Sequence, residues 1–291
     1  NTPPGNKTVR SGNKGSSSII FVHFLLFSPR TRPAVRKDDR ITMLDGYEKY
    51  YFSAQTAKGI TIGHDVYSRG AQQPTIVIIQ ELPGIGPETL TLANRFTDQG
   101  YRVVLPHLFG PLGKVALAGN LLRVFCMRKE FHLFAKKKNS PVVDWLRALC
   151  QDLKENHGVG GIGVIGMCLT GNFAMSLMAD ENVLAGVASQ PSMPINIQSE
   201  LLMSDAEIDS VRRRLDAQGS MMALRFEGDL LCTAEKFQAI DRAFNNDSER
   251  IRLIELPGKG HSVLTLDFLK GGQFAEDALQ DILAYFARQL K

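Results

Sequence analysis

From residue 43 onward, apolar and polar positions along the chain fall into two alternating rhythms. "TIVIIQ" (75–80) is a continuous apolar run of the kind expected where a strand is covered on both faces of a parallel sheet. "YRVVLP" (101–106), "GIGVIG" (161–166), "LAGVAS" (184–189), "MALRFE" (222–227) and "IRLIEL" (251–256) repeat that signature. Between them lie stretches with helical spacing: 87–100, 140–156, 169–180, 204–219, 233–246 and 274–290. "SPVVDWLRALCQDLKEN" (140–156) opens on Ser-Pro, and proline suits the first helical position because its missing N–H has no partner there anyway. Ser204 is placed as an N-cap, followed by an acidic first turn and basic later turns that match the helix dipole. "YEKYYFSA" (47–54) and "GITIGHDVYS" (59–68) predict an opening hairpin, and 114–138 reads as an amphipathic, basic helical region. Strands alternating with helices predict an α/β fold with a mainly parallel central sheet and helices on both faces. No internal repeat or linker interrupts 44–291, so one domain is expected there.

Composition and charge narrow the class. Apolar residues make up 44% of the chain and charged ones 22%, as in ordinary globular proteins. The net charge of +4 is unevenly placed: residues 1–43 hold eight Lys/Arg against two Asp, leaving about −2 for the remainder. A mildly acidic body argues against nucleic-acid binding. No run reaches the roughly 18–20 apolar residues needed to span a bilayer. Residues 1–43 surround one apolar stretch, Ile19–Phe27, with Pro, Gly, Ser and basic residues, while Met43 stands where globular-looking sequence begins. A disordered or artefactual extension is expected there, with an export signal as the alternative. Cys126, Cys150, Cys168 and Cys232 are widely separated, without metal-ligand spacing, which predicts free thiols in a reducing, cytoplasmic setting.

In parallel sheets, functional groups collect at the carboxyl ends of strands. Glu81, His107, Cys168, Asp229 and His261 each follow one of the predicted strands. The chain order Cys168, Asp229, His261 is the nucleophile–acid–histidine order of α/β-hydrolases. Cys168 opens a helix, where unpaired N–H groups favour thiolate. His261 lies in the glycine-lined "PGKGHSV", the one of six histidines placed for acid–base work. Asp229 in "FEGDLL" would orient its imidazole, with Asp241 and Asp247 as fallback acids. His107 in "LPHLFG" could line the pocket, and Glu81 alone reads equally well as a solvated loop carboxylate.

Together these residues resemble the dienelactone hydrolases, a branch of the α/β-hydrolase fold with a cysteine nucleophile. The resemblance rests on four ordered motifs over 44–291: "QELPG" (80–84), "GMCLTG" (166–171), "EGD" (227–229) and "GHS" (260–262). It implies that Glu81 contacts the cysteine and helps generate thiolate when substrate arrives. It also implies that the backbone N–H groups of Leu82 and Leu169 form the oxyanion hole. The expected activity is hydrolysis of a small-molecule ester or lactone through a thioester acyl-enzyme, with no cofactor or metal. A non-catalytic binding module of the same fold and a thioesterase or general carboxylesterase are the alternatives. One departure stands out: Thr170 occupies the elbow's second glycine position. Its bulk predicts either a wider elbow or a local hydrogen bond from the hydroxyl. No arginine aligns with the family's carboxylate grip; Arg123 and Arg128 are candidates, though with Lys136–Lys138 they also read as a solvated basic face.

Overall fold

The apolar run 75–80 sits at the centre of the sheet. In the computed structural model, residues 44–290 are described except 58, 71–72, 83, 111, 113–139, 159 and 195–196. The extension 1–43, the basic stretch 114–138 and Cys126, Arg123, Arg128 and Lys136–Lys138 lie outside the described residues. The strands are β1 (Glu48–Gln55), β2 (Thr61–Arg69), β3 (Thr75–Ile79), β4 (Arg102–His107), β5 (Ile162–Met167), β6 (Val183–Ser189), β7 (Met221–Phe226) and β8 (Ile251–Leu256). They form one sheet in the order β1-β2-β4-β3-β5-β6-β7-β8. The predicted hairpin is present, with β1 antiparallel to β2 from Glu48↔Ser68 to Gln55↔Thr61. β2 is also antiparallel to β4, and every pairing from β4 across to β8 is parallel.

All five residues of β3 are buried, because its side chains feed two cores in alternation. Val77 and Ile79 join one core with Trp145, Phe173 and Phe237, whereas Ile76 and Ile78 join the other with Phe96 and Phe286. Full burial of such a side chain contributes about 1.5–3 kcal/mol. Helices α1 (Pro87–Thr97) and α6 (Phe268–Gln289) supply the second core; α2 (Pro141–Asn156), α3 (Gly171–Leu177), α4 (Asp205–Gln218) and α5 (Ala234–Phe244) supply the first.

Several helix boundaries have visible local causes. Pro87 and Pro141 occupy first-turn positions, and the Glu207 N–H donates to Ser204 Oγ at 3.2 Å, as the N-cap pattern predicts. Two helices differ from expectation. α3 ends at Leu177, short of the predicted 180. α6 begins at Phe268 rather than 274, because the chain stays helical on both sides of a kink at Gly272 (φ 53°). No helix among the described residues is long and apolar enough to cross a membrane. Since β3 and β5–β8 run parallel, the residues that follow them emerge at a common edge.

Candidate active site

At the end of β5 the chain turns sharply. Cys168 has φ 57°, a left-handed conformation that costs a non-glycine residue about 1–2 kcal/mol and persists only when its surroundings enforce it. A single 3₁₀ turn, Cys168–Thr170, then leads into α3. Thr170 is the chief fastener. Its side chain is fully buried; the Met167 N–H donates to its hydroxyl at 2.8 Å, and the hydroxyl faces the carbonyls of Met167 (2.8 Å) and Ile79 (3.0 Å). Of the two outcomes expected for this threonine, the local hydrogen bond is realised, and it ties the elbow to β3. The turn is also tight: a Cβ on Gly166 would lie 2.1 Å from the Thr170 carbonyl oxygen.

The acid follows β7. Asp229 is buried, and its Oδ1 accepts from the N–H groups of Leu231 (2.8 Å) and Cys232 (3.1 Å). Its Oδ2 lies 2.8 Å from His261 Nδ1. The loop is braced from below by Arg225, whose Nη1 donates to the carbonyls of Phe226, Glu227 and Cys232 at 3.0–3.2 Å while Nη2 pairs with Glu255.

The histidine follows β8. Its loop is held by Asp267, whose Oδ2 accepts from the N–H groups of His261 (2.7 Å) and Ser262 (3.2 Å). With Nδ1 directed at Asp229, Nε2 is buried and has no hydrogen-bond partner among the described residues. Burial opposes a charge on the ring, but the Cys168 sulfur and the Asp229 carboxylate outweigh it and hold the imidazole pKa well above the ordinary range. Neither fallback acid reaches this histidine: Asp247 pairs with Arg250, and Asp241 accepts from the Asn245 amide.

Glu81 is 2% exposed, so the alternative of a solvated loop carboxylate is overturned. One oxygen accepts from the Thr265 hydroxyl; the other accepts from Ser262 Oγ at 2.8 Å and Gln190 Nε2 at 3.1 Å. Burial pushes its carboxyl pKa up, against the pull of Thr265, His261, Ser262 and Gln190. No hydrogen bond joins Glu81 to Cys168 in this arrangement. Leu82 and Leu169, whose N–H groups the resemblance assigns to the oxyanion, lie directly after Glu81 and Cys168. His107 Nε2 donates to the Gly110 carbonyl at 2.7 Å, so this nitrogen is turned onto its own loop.

Two polar residues after β6 were not picked out from the sequence. Gln190, with φ 37°, is fully buried; its side chain bridges Glu81 and the Val263 N–H. Ser192 Oγ lies 3.3 Å from Cys168 Sγ. "SQPS" has the composition of any loop, and only tertiary structure gives those side chains their neighbours. Among the described residues no group of three His, Cys, Asp or Glu is arranged to hold a metal ion.

Comparison with known proteins bears on the fold and the family. An esterase from Pyrococcus furiosus superposes with a TM-score of 0.56 at 14% identity, covering 90% of this chain and 97% of that one. A cold-adapted esterase from an Arctic intertidal metagenomic library gives 0.57 at 12% identity, over 84% and 95%. A dienelactone hydrolase-like promiscuous phosphotriesterase from metagenomic libraries gives 0.59 at 15% identity, over 84% and 99%. These likenesses establish the α/β-hydrolase fold. A search of curated proteins by sequence produced no match. Residues 63–290 match the model described as the dienelactone hydrolase family, and the chain belongs to that family.

Proposed function

We propose that the protein hydrolyses an activated ester or lactone through Cys168, His261 and Asp229. The observation that carries this reading is the half-buried His261 ring, bonded to Asp229 through Nδ1, with its buried Nε2 on the side of a cysteine that sits on a left-handed elbow. A proton passes from the Cys168 thiol to Nε2, and the imidazolium is stabilised by Asp229. The thiolate attacks the ester carbonyl, whose oxygen takes up negative charge facing the N–H groups of Leu82 and Leu169. His261 returns the proton to the departing alkoxide, leaving a thioester. It then takes a proton from water as the hydroxide adds, and the thiolate is expelled with the acid product. Because thiolate is itself a good leaving group, an enol lactone or aryl ester is favoured over an alkyl ester or amide.

A part for Glu81 in thiolate formation when substrate arrives, which the family resemblance implies, belongs to the same proposal. The printed names of the structural neighbours, two esterases and a phosphotriesterase, support a substrate of the ester class. Thr170 closes the elbow with local hydrogen bonds instead of widening it, which supports the catalytic reading over a binding module. Free Cys150, Cys168 and Cys232 support a reducing, cytoplasmic compartment.

The test is a screen of aryl acetates, dienelactones and thioesters with wild type and Cys168→Ala side by side. Loss of on the order of 10⁴ or more in kcat is expected for the variant. Hydrolysis that survives the substitution would sink the mechanism.

A further inference from the structure

We infer that Ser192 is a further catalytic residue, its hydroxyl hydrogen-bonding the nucleophilic sulfur and favouring its thiolate form; this rests on the Cys168 reading above. Ser192 is fully buried and grips the nucleophile at two points. Its Oγ lies 3.3 Å from Cys168 Sγ, and its N–H donates to the Cys168 carbonyl at 3.3 Å.

The segment carrying Ser192 is fastened by one backbone bond and by two side chains. Gln190 turns the chain off β6 in a left-handed conformation, its N–H donating to the Leu224 carbonyl at 2.6 Å. Gln198 Nε2 donates to the carbonyls of Ser192 (3.3 Å) and Pro194 (3.1 Å), while its Oε1 accepts from the Thr233 N–H at 3.4 Å. Lys236, fully buried on α5, donates through Nζ to the carbonyls of Met193 (3.0 Å) and Glu200. Burial brings that ammonium down to about 8, so it is still largely protonated at neutral pH. Burying a lysine cation costs several kcal/mol unless its protons are used, and here they clamp the two sides of one short loop. Ser192 is therefore held against the sulfur.

The direction of the effect follows from donor strength. A thiol is a weak donor, so S–H···O to Ser192 contributes little. A hydroxyl donating to a thiolate makes a charge-assisted bond, roughly twice as strong as a neutral one. When the Cys168 proton moves to His261 Nε2, the Ser192 O–H turns toward the sulfur and stabilises the anion. The bond is released as the sulfur bonds to carbon. It forms again when the tetrahedral intermediate collapses and the thiolate leaves.

The experiment is alkylation of Cys168 by iodoacetamide across pH, followed by mass spectrometry on the intact full-length chain, with Ser192→Ala against wild type. Thermal midpoints establish that both are folded. Expected is a roughly tenfold slower alkylation of Cys168 at pH 7, the profile moving to higher pH, and a comparable fall in kcat with little change in KM. If Ser192→Ala does not fold, Ser192→Gly removes the hydroxyl without adding volume and carries the same expectation. A folded variant that alkylates at the wild-type rate overturns the role of Ser192 while leaving the nucleophile in place. Hydrolysis that persists in Cys168→Ala overturns the function itself, whatever Ser192 does.

Discussion

Asp229 and Glu81 are carboxylates that follow β7 and β3, 3% and 2% exposed, yet their surroundings ask different things of them. Asp229 faces two backbone N–H groups on Oδ1, which cannot change role, and the imidazole on Oδ2, which changes role only by switching tautomer. Glu81 faces an amide and two hydroxyls, those of Ser262 and Thr265. A hydroxyl can rotate and accept a proton instead of donating one; a backbone N–H cannot. On its Oδ1 side the first pocket accommodates only an acceptor. The second accommodates a carboxylate or a carboxylic acid, which suits a group whose pKa burial has raised. Burial alone therefore does not fix the charge of a carboxyl group, because the reversibility of its donors also counts.

The largest effect should come from removing acceptor capacity at Asp229. In Asp229→Asn the amide must turn its NH₂ toward either the two backbone donors or His261 Nδ1. The backbone donors are immovable, so the imidazole takes the tautomer with Nδ1 bare and Nε2 protonated, which cannot accept a proton from Cys168. A fall in kcat on the order of 10³–10⁴ with KM nearly unchanged is expected. Glu81→Gln, whose NH₂ can face a reversed Thr265 hydroxyl, should lose far less. Steady-state kinetics on the two variants decide it, and equal losses would erase the distinction between the pockets.

Thr170 sharpens the comparison, since it is a hydroxyl locked among backbone groups. Thr170→Val keeps the shape but leaves the buried Met167 N–H without its 2.8 Å acceptor, which costs about 1–3 kcal/mol. For a chain of this size that is a drop of several degrees in Tm, measurable by calorimetry. Strain at Cys168 would also be less firmly held, so slower alkylation of that thiol should accompany the lower Tm. A threonine acting only as a space-filler would leave both unchanged.

Much of this was legible in the sequence, for a physical reason. Cys168, Asp229 and His261 each follow a strand whose apolar run is unmistakable, and strand ends in a parallel sheet converge whatever the loops do. The β1–β2 hairpin was legible because its partners are adjacent in the chain. The antiparallel pairing of β2 with β4 was not, since β3 intervenes in sequence but not in space. The start of α6 was hidden by Gly271-Gly272, a pair that reads as a break while the chain turns a kink and stays helical. Gln190, Ser192 and Thr265 were missed because their roles come from neighbours tens of residues away, and Asp267 because its loop has to fold back before it meets the N–H groups of His261 and Ser262. A polar loop residue carries no mark of the partner that will bury it.

The smallest effect is the pH dependence of Glu81. Because burial raises its folded pKa above the ordinary glutamate value, the folded protein binds this proton more tightly than the unfolded chain does. The group's contribution to stability is then fully present below pH 4.5 and lost as pH rises through the folded pKa. Glutamine does not titrate and keeps a compatible set of hydrogen bonds. Other titrating groups, His261 among them, act in both proteins. Relative to wild type, Glu81→Gln should therefore gain thermal stability as pH rises, its Tm being the higher at pH 8 and the gap closing toward acid pH. Parallel melting curves from pH 4 to 8 measure it directly. A gap that stays constant across that range would mean that the Glu81 pocket favours neither protonation state, and the contrast with Asp229 would then rest on geometry alone.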